Sequence, residues 1–173
     1  DHEPVRTAKE PVGHAVRQVY LDCGVVDVAT ETGDRELLDA VLRRWKTLRS
    51  SRMYLTGALG SRHRDEAIGA AFELPSDRAY GETCASIGST MLAWRLLLAT
   101  GEARFADVIE RTAFNGILSG LGADGSHFFY SNPLLRRSAG LEVLEGAAST
   151  RRAEWFPVSC CPPNLMRFLA TLP

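Results

Sequence analysis

Two adjacent cysteines followed by two prolines stand near the end of the sequence, in Ser159-Cys160-Cys161-Pro162-Pro163-Asn164. Neighbouring side chains of a strand point to opposite faces, so adjacent thiols meet one target only where the backbone turns. Pro162 disfavours helical backbone at Cys161, and Pro163 does the same at Pro162. Proline is nevertheless at home in the first turn of a helix, and Leu165, Phe168, Leu169 and Leu172 follow at helical spacing. The expected arrangement is two thiols on a rigid turn that opens a helix. Seventy-six residues before Cys160, the stretch Gly81-Glu82-Thr83-Cys84 supplies a third thiol and a carboxylate. Glu82, Cys84, Cys160 and Cys161 together have the donor types of a four-ligand zinc site.

Each cysteine has a plainer reading as a small buried apolar residue. For Cys23, on the apolar face of an expected helix, that reading is preferred. For the other three, metal binding is favoured over burial or a disulfide, because thiolates and a carboxylate form a zinc donor set. A disulfide between adjacent Cys160 and Cys161 would be strained. Glu82 and Cys84 are two apart, and helical residues at that spacing do not share a face. Glu82 is therefore expected in non-helical backbone, with a helix beginning near Cys84.

These groups need a scaffold, and the chain of 173 residues is long enough for one domain with a real core. Its net charge of −1 and mixed signs offer no basic patch for nucleic acid. It has no 18-residue apolar run, so no membrane-spanning helix is expected. Asp1 opens in mid-pattern and Pro173 follows closely on the start of a helix, so a piece of a larger chain is expected and missing targeting signals carry no weight. A cytoplasmic location is the default expectation. Arg outnumbers Lys 18 to 2, which is attributed to genome composition.

Val12, Ala15, Val16, Val19, Cys23, Val26 and Ala29 recur at three- and four-residue steps, the mark of an amphipathic helix. Thr32-Gly33-Asp34 should end it and cap a second helix carrying Leu38, Val41, Trp45 and Leu48. The pattern returns 68 residues later. Ile87, Met91, Trp94, Leu97 and Leu98 mark a third helix, Thr100-Gly101-Glu102 a turn, and Phe105, Val108, Ile109 and Ile117 a fourth. Two such pairs suggest an array of helical hairpins and a mainly α fold. Between them, Arg49 to Gly81 shows no sustained period, and an aperiodic segment of that length is usually functional. Asp124-Gly125 is a hairpin-type turn signal. Short strands are expected at His127–Tyr130 and Trp155–Ser159, with a polar surface excursion from Arg136 to Arg152 between them.

Several stretches, taken together and in order, resemble the cysteine-dependent beta-L-arabinofuranosidases of glycoside hydrolase family 127. They are Val12-Gly13-His14-Ala15-Val16-Arg17, Tyr54-Leu55-Thr56-Gly57, Glu66-Ala67, Glu73-Leu74-Pro75, Tyr80-Gly81-Glu82-Thr83-Cys84-Ala85-Ser86-Ile87-Gly88 and Cys160-Cys161-Pro162-Pro163-Asn164. The resemblance implies an (α/α)6 barrel followed by β-sandwich domains, of which residues 1–173 would be a central part of the barrel. It implies zinc on Glu82, Cys84, Cys160 and Cys161, with Cys160 also the nucleophile. It places the acid/base on Glu66, sixteen residues before Glu82. It gives His14 and, less directly, Tyr130 to the sugar. Read without the resemblance, Glu66 is a solvated loop carboxylate, and His14, His63 and His127 are ordinary satisfied histidines. Tyr80 and Trp45 are core or site walls.

The implied chemistry is coherent. Zinc turns a thiol into a thiolate, a thiolate can form a covalent glycosyl intermediate, and a retaining glycosidase pairs such a nucleophile with one acid/base group. The expected activity is release of L-arabinose from terminal beta-L-arabinofuranosides of plant glycans or glycoproteins. Nucleic-acid and membrane partners are not expected, and self-association is left open. The rival readings are a related glycosidase for another furanose or branched sugar, a non-catalytic helical scaffold with a closed zinc site, and a helical sugar epimerase working through histidines.

Overall fold

Thr32-Gly33-Asp34 does two jobs in three residues. The computed structural model describes residues 3–135, 151–158 and 160–172. Its first helix, α1 (Ala15–Thr32), ends where Gly33 turns left-handed at φ 70° and donates its N–H to the Ala29 carbonyl. Asp34 then caps α2 (Arg35–Ser51) by accepting the Leu37 N–H at 3.1 Å, the usual service of a short acidic side chain. The second hairpin joins α3 (Thr83–Thr100) to α4 (Ala103–Thr112) around Gly101, at φ 73°. Its N-cap residue, Glu102, makes no side-chain cap and pairs with Arg104 at 2.8 Å instead. The cysteine segment opens α5 (Cys161–Thr171), with prolines in its first turn. The mainly α fold built from helical hairpins is the one expected.

One apolar cluster binds the two hairpins through Val19, Cys23 and Val26 of α1, Val41, Trp45 and Leu48 of α2, Leu92 and Leu96 of α3, and Phe105 and Val108 of α4. The Trp45 and Phe105 rings meet at 4.5 Å between centroids. α1 and α3 approach closely because position 88 is glycine: a Cβ there would lie 2.6 Å from Val19 Cγ2. Trp94 and Leu98, which mark α3 in the sequence, are 53 % and 67 % exposed on this chain, while Leu92, Ala93 and Leu96 of the same helix are buried. A buried ion pair crosses this core between Asp22 of α1 and Arg44 of α2, at 2.5 Å.

A second cluster gathers Tyr80, Cys84, Ile87, Ile117, Phe128, Tyr130, Phe156, Cys161, Leu165 and Phe168. It lies on the α3–α5 side and contains three of the candidate site residues.

Three expectations change. The helix through Ile117 does not stay α-helical: α4 stops at Thr112 and continues as a π turn over Ala113–Ile117 and a 3-10 turn over Leu118–Gly120. The strands expected at His127–Tyr130 and Trp155–Ser159 do not form ladders among the described residues; Phe128 makes single bridges to Leu121 and Ala153, and Ser131 one to Glu82. The cause is that neighbouring residues bond to different segments: Phe128 exchanges bonds with Ala153, Phe129 donates to Gly120, and Tyr130 accepts from Thr83. Ser159 and most of the polar excursion lie outside the described residues. Finally, Pro162 does not keep Cys161 out of α5: the helix begins at Cys161 and both prolines fall in its first turn, where their missing N–H groups cost no intrahelical bond.

Candidate active site and metal centre

The aperiodic segment between α2 and α3 delivers two of the site's carboxylates. Residues 61–68 form a tight loop: Arg62 and Ala67 exchange backbone hydrogen bonds, and Ile68 donates to the Gly13 carbonyl at 2.9 Å. That last bond docks the loop against the start of α1. At the loop's tip Asp65 and Glu66 both adopt left-handed backbone, at φ 58° and 51°, a conformation that costs about 1–3 kcal/mol per residue and clusters at functional sites. It brings the Glu66 carboxylate to His14, the N-cap residue of α1. His14 Nδ1 accepts the Val16 N–H at 3.2 Å, which leaves the ring proton on Nε2. Nε2 lies 2.7 Å from Glu66 Oε2 and donates to it. Glu66 Oε1 accepts the Tyr80 hydroxyl at 2.5 Å, with Tyr130 further off at 3.4 Å.

Glu82 is extended, at φ −63° and ψ 136°, and α3 starts at Thr83, as the two-residue spacing to Cys84 requires. Gly81 precedes it at φ 49°, where a Cβ would lie 2.8 Å from the Asn132 carbonyl oxygen. The helix start is fastened to the Tyr130 strand-like segment: Thr83 N–H donates to the Tyr130 carbonyl at 2.9 Å and Thr83 Oγ1 to the Phe129 carbonyl at 2.6 Å. This fixes Tyr130 beside Glu82. α5 is fastened to α1 through Asn164, whose amide donates to the Tyr20 hydroxyl at 3.1 Å.

The two segments meet at the thiols. Cys84 Sγ is 3.4 Å from Cys161 Sγ, and Cys161 Sγ is 3.7 Å from Cys160 Sγ. Glu82 Oε1 is 3.6 Å from both Cys160 Sγ and Cys161 Sγ. All four cysteines, including Cys23, are free thiols. A tetrahedral ion with sulfur at about 2.3 Å and oxygen at about 2.0 Å has S–S edges of about 3.8 Å and S–O edges of about 3.5 Å. The Cys160–Cys161 and the two Glu82–sulfur separations lie close to those edges and Cys84–Cys161 is somewhat shorter, and one ligand atom of each of the four residues lies within 4.8 Å of the others. Glu82 Oε2 is buried without a partner, another sign that a cation suits this centre.

Electrostatics agree. Burial, and then the neighbouring Cys160, push the Glu82 carboxyl up to about 8. Cys160 is held far below the usual thiol range because Cys161 and Cys84 donate to its sulfur. The same contacts push Cys161 and Cys84 above it. Negative charge therefore collects on Cys160. Cys84, Cys161 and Glu82 are buried, whereas Cys160 is exposed. Its sulfur also lies 3.4 Å from the Tyr130 hydroxyl.

His14, Glu66, Glu82, Cys84, Tyr130, Cys160 and Cys161 are thus one assembly. Of the residues given plain readings, Trp45 is core, and His127 is a surface histidine bonded to Asp124 at 2.7 Å. Cys23 is buried, and its thiol is pushed up to about 11 by burial. Tyr80 belongs to the site. Thr83 and Asn164 fasten it, and neither was singled out by spacing; their signal was only their place inside the two motifs.

A profile of the beta-L-arabinofuranosidase GH127 catalytic domain matches residues 1–173. The chain belongs to this family. Over 171 residues it is 40 % identical to a non-reducing end beta-L-arabinofuranosidase of Bifidobacterium longum subsp. longum, covering 98 % of this chain and 26 % of that protein. A GH127 beta-L-arabinofuranosidase structure from Geobacillus stearothermophilus T6 superposes with a TM-score of 0.90 at 39 % identity, covering 98 % of this chain and 27 % of that one. A GH127 beta-arabinofuranosidase structure superposes with a TM-score of 0.88 at 43 % identity, covering 97 % and 25 %. The GH127 chain therefore spans about a quarter of the length of these relatives, and its hairpins are part of the helical barrel of the family. No helix among the described residues is long and apolar enough to cross a membrane.

Proposed function

We propose that the protein containing this chain is a retaining glycoside hydrolase that releases L-arabinose from terminal beta-L-arabinofuranosides, with residues 1–173 as a central part of its barrel. The observation that carries the reading is the position of Cys160. It is the exposed member of an otherwise buried ligand set, and it shares the Tyr130 hydroxyl with Glu66, 3.4 Å from each. Nucleophile and acid/base thus lie no more than about 7 Å apart, a bound that admits the about 5–5.5 Å between the catalytic groups of retaining enzymes.

In this reading the Cys160 thiolate attacks the anomeric carbon. The bond to the leaving oxygen breaks, and the Glu66 carboxyl gives its proton to that oxygen. Glu66, now a carboxylate, takes a proton from water as the water oxygen attacks the same carbon. The carbon–sulfur bond breaks and the thiolate returns. Two inversions preserve the anomeric configuration. His14 and Tyr130 border the space where the sugar sits. Glu82, Cys84, Cys160 and Cys161 would hold zinc, which keeps sulfur as a thiolate and stabilises the charge that returns to it. A purely structural zinc site is closed, and the Tyr130 hydroxyl placed between Cys160 and Glu66 supports the catalytic reading over that alternative.

NMR of the first product formed by the full-length enzyme from a beta-L-arabinofuranoside tests the reading. Retained configuration is expected, and an inverted product overturns it.

A further inference from the structure

We infer that Tyr80 is the positioning residue of Glu66, holding its carboxyl in one orientation through both proton transfers. The inference deepens the glycosidase reading and rests on it. Glu66 sits on strained backbone at the tip of a loop, and the terminal torsion of a glutamate is broad and nearly two-fold. Its carboxyl must be fixed by partners. Tyr80 donates to Oε1 at 2.5 Å and His14 to Oε2 at 2.7 Å, so the two oxygens are held by different segments. The Tyr130 hydroxyl, at 3.4 Å, is too far for a good O–H···O bond.

Tyr80 is itself immobile. It is 3 % exposed. The His63 ring meets its ring edge-on at 5.1 Å, and a Cβ at Gly60 would lie 3.3 Å from its Cδ1. The next residue, Gly81, donates to the Gly60 carbonyl at 2.9 Å. The hydroxyl is therefore placed by packing on both sides of the chain. Without it, Glu66 keeps only His14 as a firm partner and can swing.

The step most sensitive to that swing is protonation of a poor leaving group, since general acid catalysis is worth about 10²–10⁴-fold. The test compares Tyr80→Phe with the full-length wild-type enzyme on a para-nitrophenyl and an unactivated alkyl beta-L-arabinofuranoside, with Glu66→Ala as control. For Tyr80→Phe, kcat/KM should fall about 10–100-fold on the alkyl substrate and less than threefold on the activated one. Metal content and melting temperature should stay near wild type, which separates this from misfolding. If Glu66→Ala shows the same leaving-group pattern but Tyr80→Phe lowers both substrates equally, or neither, the inference fails alone. If Glu66→Ala spares the alkyl substrate, the underlying reading fails with it.

Discussion

Cys84 and Cys161 are separated by 77 positions in the chain and by 3.4 Å between their sulfurs. The contact joins the start of α3 to the start of α5, and it closes the ligand set from the buried side. Nothing local enforces it; the two helices are brought together by the second apolar cluster, while Asn164 on Tyr20 ties α5 to α1.

That contact predicts the metal stoichiometry. The full-length protein should bind about one zinc per chain, as a single four-ligand site does. Cys84→Ser should lower metal content and turnover together, measured by elemental analysis and by activity on the same preparation. Full zinc in Cys84→Ser would remove this residue from the ligand set.

Cys160 should behave unlike the other three cysteines. It is exposed, whereas Cys84 and Cys161 are buried and Cys23 is buried with its thiol raised to about 11. Treating the full-length protein with a limiting alkylating agent at pH 8 should therefore modify Cys160 first and leave Cys23 untouched, as read by peptide mass spectrometry. Cys160→Ala should abolish turnover whatever the leaving group. First labelling at Cys161 or Cys84 would contradict the assignment.

How far these features were legible in the sequence depends on their range. Both hairpins were readable because Gly33 and Gly101 punctuate strong helical periods. The non-helical Glu82 followed from its two-residue spacing to Cys84. The strand at 127–130 misled because an apolar run reports burial, while pairing needs a continuous partner that Phe128, Phe129 and Tyr130 do not share. Trp94 and Leu98 marked α3 correctly, because they sit at helical spacing inside it. The Tyr80–Glu66 bond depends on a left-handed turn at Asp65 and Glu66 that no glycine announces. For Glu66 and His14, family motifs supplied what local pattern could not.

The loop that carries Glu66 should loosen in acid. Glu73 accepts two bonds from Arg62, at 2.8 and 2.6 Å, and one from the Ala70 N–H at 2.8 Å. Arg62, and then that N–H, hold its carboxyl down at about 2. A depressed acid contributes stability above its unfolded pKa of about 4.3 and loses it as pH falls through the folded value. The window is therefore between about pH 4.3 and 2. Both side chains are partly exposed, so the effect should be small and weakened by salt. Amide exchange at Ala70 should accelerate across that window in wild type relative to Glu73→Gln. Identical profiles would show that the pair does not hold the loop.

The buried pair of Asp22 and Arg44 makes the largest stability prediction. Their side chains are 3 % and 2 % exposed. Arg44 also donates to the Val5 carbonyl at 2.7 Å, and Asp22 accepts from Gln18 at 3.1 Å. Burial outweighs Arg44 and pushes the Asp22 carboxyl up, so the aspartate is costly to leave alone. Arg44→Met should destabilise the domain by about 3–5 kcal/mol, because it strands a buried charge. Replacing both, as Asp22→Leu with Arg44→Met, should recover most of that loss, since an apolar pair of similar volume can be neutral. Recovery should stop short of complete, because the Val5 carbonyl still lacks its donor. Urea unfolding of the full-length single and double variants checks the order. A double variant no more stable than Arg44→Met would mean that the arginine acts mainly by tying the N-terminal segment to α2, and not by neutralising Asp22.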